Sequence, residues 1–333
     1  MLVLLEYKTV VISGGYEQDI DGKFLDWKQS NLKHFEEFSS IKLFGFHKIT
    51  IPQLLQHSYS HTMFLTNANE ILVCGRKQFK VIKSEWGLQR WKDFSCEMIS
   101  NQECLKLENG QWVHHSKLNQ SIQYCTAITM PNGVYIFGGE VQNTTPQDVQ
   151  GEFLANGSTK WEIGPSFLHL DNPFLRRLCR FSGLRISEED FVLIGIGQMQ
   201  NCVVKYNIRQ KEWKIVVKMK ISRYGHTSAL VNNKIIICGG LLFQSVEFQA
   251  AKTEIIYLTS WTSKVIENEE NVFNVDLQTC GFITFRNQEK LVLFGKPCKM
   301  WNDTKEEWEN IDHELRMPRS ECGILSLPST VLF

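Results

Sequence analysis

A short apolar run that ends in glycine occurs six times along the chain, and this repetition restricts the fold more than any other feature. The six runs are Val10–Gly15, Ile71–Gly75, Val134–Gly139, Phe191–Gly195, Ile235–Gly240 and Leu291–Gly295. Their first glycines stand at 14, 75, 138, 195, 239 and 295, so consecutive copies are 61, 63, 57, 44 and 56 residues apart. Self-similarity at such a period indicates a repeat architecture rather than two ordinary globular domains.

The composition of these runs predicts buried strands. They consist mainly of Val, Ile, Leu and Phe, which is typical of strands covered on both faces. Glycine suits the end of such a strand because a Cβ would hinder a positive φ or a close backbone approach. The predicted strand-ending glycines are Gly14, Gly15, Gly75, Gly138, Gly139, Gly195, Gly239, Gly240 and Gly295.

In most copies a tryptophan follows, at the predicted start of another short strand. These residues are Trp112, Trp161, Trp213, Trp261 and Trp308. A ring at this place can wedge between neighbouring sheets while its N–H finds a hydrogen-bond partner. A further strand precedes the apolar run, at Tyr59–Met63, Tyr124–Ile128 and Arg223–Val231, so each repeat has about four strands.

All-β content with this longer period predicts a six-bladed β-propeller that forms a single domain, residues 1–333. The first glycines come only 14 residues into the chain, and Arg319–Pro328 resembles the Arg223 segment without a following run. We therefore expect the C-terminal strand to pair with the N-terminal blade and close the ring. The predicted blades are 1–56 plus 317–333, 57–118, 119–170, 171–220, 221–268 and 269–316. Residues 16–58 and 76–103 are predicted to be long surface loops.

The segment Ser222–Trp261, with R-Y-G-H followed by N-N-K-I-I-I-C-G-G, resembles a kelch repeat, a unit of about 50 residues. The Tyr206-to-Trp213 spacing of seven residues matches the same family, and residues 104–165 are similar to kelch proteins of arthropods and other invertebrates. The resemblance covers nearly the whole chain and implies a kelch-type β-propeller. Departures occur at Arg76 and Lys296, which replace the second glycine of two copies.

Charge and composition narrow the range of partners. The chain has 36 Lys plus Arg against 36 Asp plus Glu, so no overall field attracts it to nucleic acid or to an anionic membrane. No apolar stretch of about 18 residues is present, so membrane insertion is not expected. We expect a monomeric propeller that is cytoplasmic if Met1 is the true start, and secreted if the N-terminus is incomplete.

Signatures of catalysis are absent from the sequence. It contains no H-E-x-x-H, G-x-S-x-G or Walker A motif, and Gln200 stands where a dinucleotide fingerprint needs its third glycine. The prediction is therefore a protein without a cofactor, metal or catalytic residues that serves as a protein–protein interaction module. The alternative is an enzyme on the kelch fold, resembling galactose oxidase or a sialic acid mutarotase.

Cysteines and glycosylation sequons bear on the compartment. Ten cysteines occur without any C-x-x-C, and the default for those near strands is a small buried side chain. Cys74 and Cys104 fall on predicted successive strands of one blade, and the invertebrate proteins that this chain resembles carry that combination; an oxidising compartment would allow a disulfide. Sequons for N-glycosylation stand at Asn119, Asn143, Asn156 and Asn302.

Binding by a propeller is expected to use loops held by the rigid sheets. The turns that lead into the first strand of each blade place five candidate partner-binding residues at one end of the ring: Tyr59, Gln123, Arg223, Tyr224 and Arg319. Tyr and Arg are frequent binding anchors. Alternatively, Arg223 and Arg319 pair with neighbouring loops.

Overall fold

The structure is a computed structural model, and the residues that it describes are all β. They are 9–13, 16–17, 42–44, 62–75, 77–82, 95–100, 102–109, 111–138, 140–141, 151–166, 180–196, 201–242, 251–267, 291–293, 299–310, 319–320 and 323–327. These residues contain thirty strands and no helix. Accordingly, no helix in them is long and apolar enough to cross a bilayer.

The strands are short and are numbered in chain order. The first fifteen are β1 (Thr9–Ser13), β2 (Tyr16–Glu17), β3 (Lys42–Phe44), β4 (Thr62–Leu65), β5 (Ile71–Cys74), β6 (Lys77–Ile82), β7 (Ser95–Ser100), β8 (Glu103–Glu108), β9 (Gln111–Lys117), β10 (Ile122–Gln123), β11 (Thr126–Met130), β12 (Gly133–Phe137), β13 (Glu140–Val141), β14 (Glu152–Ala155) and β15 (Glu162–Ile163). The others are β16 (Ser182–Arg185), β17 (Asp190–Ile196), β18 (Cys202–Asn207), β19 (Glu212–Lys218), β20 (Arg223–Tyr224), β21 (Thr227–Val231), β22 (Lys234–Cys238), β23 (Leu241–Leu242), β24 (Glu254–Tyr257), β25 (Thr262–Val265), β26 (Val292–Leu293), β27 (Lys299–Asn302), β28 (Glu307–Asn310), β29 (Arg319–Ser320) and β30 (Gly323–Leu327).

Six antiparallel sheets contain most of these strands. They are sheet I (β3-β1-β30), sheet II (β4-β5-β8-β9), sheet III (β11-β12-β14-β15), sheet IV (β16-β17-β18-β19), sheet V (β21-β22-β24-β25) and sheet VI (β26-β27-β28). The remaining strands form the pairs β2–β29, β6–β7, β10–β13 and β20–β23. The expectation of an all-β chain with four strands per repeat is met in sheets II to V.

One edge strand of each of sheets I to V contacts the corresponding strand of the next sheet. In sheet I this strand is β30, and in sheets II to V it is the first strand of the sheet. β30 contacts β4, β4 contacts β11, β11 contacts β16, and β16 contacts β21. In sheet I the N-terminal β1 pairs with the C-terminal β30 from Thr9↔Leu327 to Ser13↔Gly323. Thus the two ends of the chain share one sheet, whose C-terminal strand also touches sheet II.

The segment 76–103 was predicted to be a long surface loop, and this is wrong for much of its length. β6 and β7 pair antiparallel over six residues, from Lys77↔Ser100 to Ile82↔Ser95. The segment therefore carries a hairpin of its own. In the other predicted loop, 16–58, β3 pairs with β1, with Val11 opposite Leu43.

Aromatic side chains fill the space between sheets III and IV. Phe137 of sheet III lies 5.3 Å from Phe191 and 5.6 Å from Trp213, measured between ring centroids. The Phe137–Trp213 contact is edge-to-face, and each such pair stabilises by about 0.5–1.5 kcal/mol beyond its burial. Similar apolar clusters join sheets II to III, IV to V, and V to VI.

Two tryptophans bridge to the preceding sheet by hydrogen bonds. Trp161 donates from Nε1 to Ser116 Oγ at 3.0 Å, and Trp308 donates from Nε1 to Thr253 Oγ1 at 2.9 Å. Trp213 instead contacts the preceding sheet through its edge-to-face packing against Phe137. Trp112, on β9, is buried.

Trp261 is a correction to the predicted pattern. It lies in the turn before β25 with a φ of 51°, and does not begin the strand. Ser263 occupies the corresponding position, since it pairs with Ile256 as Trp213 pairs with Tyr206. The turns before β19 and β25 are equally long, and Trp261 stands where Lys211 precedes β19, so the tryptophan comes two residues earlier in this copy.

Glycine at the end of the apolar strand makes room for the next sheet. Gly75, Gly138, Gly195 and Gly239 all have positive φ, of 67°, 79°, 85° and 62°. A Cβ on Gly75 would lie 2.6 Å from Cys125 Sγ, and one on Gly195 would lie 2.5 Å from the His226 ring. Both contacts reach the residue just before the first strand of the following sheet. Gly14, Gly15, Gly139 and Gly295 lie outside the described residues.

We expect Gly195→Ala to lower the free energy of unfolding by about 2–5 kcal/mol, because left-handed strain adds to overpacking against His226. Gly157→Ala is the matched control: Gly157 has a φ of 72° but nothing within 4 Å of an added Cβ. This control should cost only about 1–2 kcal/mol. Urea unfolding of the two variants measures the difference, and equal losses would contradict the packing role.

Candidate functional site

The turns that lead into sheets III, IV and V share one backbone conformation. Tyr124, Arg180 and Gly225 each stand two residues before the first strand of their sheet, with φ of 56°, 58° and 66°. Left-handed φ is uncommon for residues other than glycine, and bulky residues in it cluster at functional sites. We call the surface formed by these three residues and Tyr224 the lead-in face.

A stacked pair connects two of these turns. The Arg180 guanidinium carbon lies 4.1 Å from the centroid of the Tyr124 ring, and both residues are half-buried. Attraction between a cation and an aromatic face is worth about 0.5–1 kcal/mol at exposed sites. The next turn is tied to the same residue, because the Gly225 amide donates to the Arg180 carbonyl at 2.7 Å. Sheets III, IV and V thus hold the lead-in face together.

The five predicted partner-binding residues differ in their positions and in their burial. Tyr224 is half-buried on β20, which pairs with β23 beside the lead-in turn. Gln123 lies on β10 in the position that corresponds to Tyr224, and Arg319 lies on β29 in the position of Arg223. Tyr59 lies outside the described residues.

Arg223 requires a correction, because its side chain is fully buried. Its guanidinium donates from Nη1 to the Gly239 carbonyl at 3.1 Å and from Nη2 to Glu254 Oε2 at 3.4 Å. The carboxylate is equally inaccessible, so the ion pair is closed to solvent. Arg223 therefore pairs within its own repeat rather than with a neighbouring loop, and it is inaccessible to a partner.

The Glu254 carboxylate also accepts hydrogen bonds from the backbone of the segment that precedes sheet V. Its Oε1 accepts the Lys220 amide at 2.6 Å and its Oε2 accepts the Ile221 amide at 3.2 Å. Buried charge is tolerated only when it is paired and hydrogen-bonded, and both conditions are met here.

Glu152 occupies the same position in sheet III. It accepts the backbone amides of Asn119 and Gln120 at 2.8 and 3.0 Å. Burial raises the pKa of this carboxyl, while the two amides and the Asn119 side chain act to lower it. Ile122 stands where sheet V has Arg223, so the same glutamate works there without a cation.

His226 lies behind the lead-in face, wedged against Gly195 of sheet IV. Burial, and secondarily the Arg223 cation, lowers the pKa of the imidazole to about 3, although the Ile194 backbone acts to raise it. The ring is therefore neutral in the folded protein at physiological pH. Cys125 occupies the corresponding position in sheet III, beside Gly75.

Cys74 and Cys104 are joined by a disulfide in the structure, with their Cα atoms 4.5 Å apart. They lie on β5 and β8, and the register of these strands, in which Val73 faces Leu105, makes them direct neighbours. Both are fully buried. Among the described cysteines, Cys125 and Cys202 carry free thiols.

Metal ligands do not converge in the part of the chain that the structure describes. No group of three or more His, Cys, Asp or Glu side chains in those residues could hold an ion.

Tyr124 and Arg180 were not among the predicted binding residues. Arg180 lies outside any segment recognised as a strand start, because sheet IV lacks the R-Y-G-H pattern of sheet V. The available signal was positional: counting back from the glycine-terminated strands aligns Tyr124 with Gly225. Only the fold brings Arg180 onto the Tyr124 ring.

Comparison with known proteins supports the interpretation of the repeats. No protein-family model matches the chain. Kelch-like protein 15 of mouse and of rat is 25% identical to it over 192 residues, and the human protein is 24% identical. The similarity covers 52% of this chain and 29% of each relative, so the chain matches less than a third of their length. The regular glycine-terminated strands, the four-stranded antiparallel sheets and this similarity support a relationship to kelch-repeat proteins.

Proposed function

We propose that the six sheets are the blades of one closed ring, with boundaries as predicted from the sequence. Two observations support this proposal. One edge strand of each sheet touches that of the next in the order of sheets I, II, III, IV and V, as they would around a common axis. In addition, β1 pairs with β30, which would join the chain ends within one blade and remove the free edges.

The proposed function is non-catalytic binding of a protein partner through the lead-in face. The observation that carries this proposal is the Arg180–Tyr124 stack, which spans two sheets in strained backbone at the same end of each. A residue held in a costly conformation by its surroundings favours a functional explanation.

The chemistry of the lead-in face suits a protein partner. Tyr and Arg are the side chains most enriched among residues that dominate binding energy. Stacking holds the Arg180 side chain before a partner arrives, which reduces the ordering cost of binding. Tyr224 adds a second half-buried aromatic residue beside the stack. With balanced overall charge, nucleic acid is not the proposed partner.

We expect a photo-crosslinking amino acid at position 224 to capture a discrete protein in cells that naturally express the chain. Arg180→Ala and Tyr124→Ala should each reduce that adduct about tenfold or more, since truncating a dominant binding residue costs about 2 kcal/mol. Quantitative mass spectrometry of the adduct provides the measurement, and circular dichroism checks that each variant folds.

Thr259 provides the matched control position. It is exposed in the turn between β24 and β25, at the opposite end of sheet V from Tyr224. Adducts of equal yield from positions 259 and 224, or an adduct from 224 unaffected by either alanine variant, would show that the lead-in face is not the binding surface.

A further inference from the structure

The asparagine side chains of the described sequons differ in the hydrogen bonds that they make within the fold. Asn119 and Asn156 both lie in turns and are exposed, so exposure does not separate them. Asn302 is half-buried at the end of β27, where its Oδ1 accepts the Thr304 and Lys305 amides. Asn143 lies outside the described residues.

Asn156 has the geometry of a glycan acceptor. It follows β14 in a turn, and its Nδ2 donates to the Pro131 carbonyl at 2.7 Å. This bond needs one of the two amide hydrogens. N-glycosylation replaces only one hydrogen, so the bond can persist in the modified side chain. Gly157, next in the sequon, has open space around it.

Asn119 cannot be glycosylated without losing a hydrogen bond of its side chain. Its Nδ2 donates to Glu152 Oε2 at 2.9 Å and to the Trp161 carbonyl at 3.2 Å. Both amide hydrogens are therefore used. A glycan would remove one of these bonds and weaken the hydrogen-bonding shell of the buried Glu152 carboxylate.

The disulfide supplies independent information on the compartment. Cys74 and Cys104 are buried in the core of sheet II and are bonded to each other. Disulfides persist in oxidising compartments and are rare in the cytosol. Asparagine sequons are modified in proteins that pass through the secretory pathway, which is such a compartment.

We propose that this protein matures in the secretory pathway, where Asn156 receives an N-linked glycan and Asn119 does not. The glycan would lie at the end of sheet III that carries the Pro131 turn, away from Tyr124. It would therefore leave the lead-in face open, although the inference does not depend on the function proposed for that face.

The test is to secrete the full chain from insect cells behind a cleavable leader and to release its glycans with peptide-N-glycosidase in ¹⁸O-labelled water. Peptide mass spectrometry should find most copies converted to labelled aspartate at position 156 and essentially none at 119. A peptide linking Cys74 to Cys104 should appear in the unreduced digest. Folding is monitored by circular dichroism.

Ser158→Ala should remove one glycan from the intact mass, whereas Ser158→Thr, which keeps the sequon, should retain it. Ser121→Ala, which destroys the Asn119 sequon, should leave the mass pattern unchanged. An unmodified Asn156 in folded secreted protein, an Asn119 modified as often as Asn156, or ten alkylated thiols would each overturn the proposal.

Discussion

Glu254→Gln is expected to lower the free energy of unfolding by about 3–5 kcal/mol, the usual cost of leaving a buried charge uncompensated. The Arg223 guanidinium would keep its bond to the Gly239 carbonyl but lose its counter-ion. The new amide group also could not accept at both positions where Lys220 and Ile221 now donate. Urea denaturation followed by tryptophan fluorescence measures this loss.

Arg223→Ile is the matched variant, because sheet III has Ile122 at the same position beside Glu152. Glu254 would keep its two backbone amides, as Glu152 does, so the expected loss is only about 1–2 kcal/mol. If Arg223→Ile were as damaging as Glu254→Gln, the amide bonds could not be the main role of the glutamate, and its pairing with Arg223 would dominate.

Acidification is expected to destabilise the protein through His226, because the folded state holds this ring neutral. The pKa of His226 is about 3 in the folded protein and has its ordinary value of 6.5 in the unfolded chain. The unfolded chain therefore binds more protons between these pH values. Stability is therefore fully present above pH 6.5 and falls as the pH decreases, by up to about 1.4 kcal/mol per pH unit. Between pH 7 and 4.5 the loss from this residue should reach about 2–3 kcal/mol.

His226→Cys isolates this contribution, since Cys125 fills the corresponding place beside Gly75. The variant should be less stable at pH 7 because it buries less, but its stability should decline less steeply in acid. Carboxyl groups titrate in both proteins, so the difference between the two pH profiles is the informative quantity. Parallel profiles from pH 7 to 4.5 would refute a neutral buried imidazole.

Strand positions were largely predictable because they depend on local patterns. Ile71–Cys74 and Lys234–Cys238 form strands at the predicted apolar runs, since a buried strand needs a continuous apolar stretch ended by a residue that tolerates positive φ. Trp213 and Trp308 lie at the start of strands as expected. Trp261 did not, because the tryptophan of this copy comes two residues earlier relative to the paired strands, and the residue pattern alone does not show that register.

The candidate site was less predictable, because its members are defined by which sheet lies beside which. Arg223 and Tyr224 are adjacent in sequence, yet one is fully buried and the other half-buried. The difference arises from Glu254, 31 residues away, which captures the guanidinium. Likewise, Arg180 becomes a candidate only because sheet IV places it on the ring of Tyr124.

The repeat, the all-β class and the places where strands end could be predicted from the sequence, since they follow from apolar runs and from the conformational freedom of glycine. Which polar groups are hydrogen-bonded inside the fold and which face outward depends instead on the packing of neighbouring sheets. A sequon, a cysteine or an arginine is chemically the same wherever it stands. The partners that reach it across neighbouring sheets, such as Glu152 at Asn119 and Glu254 at Arg223, are what separate a structural group from one that can meet a ligand.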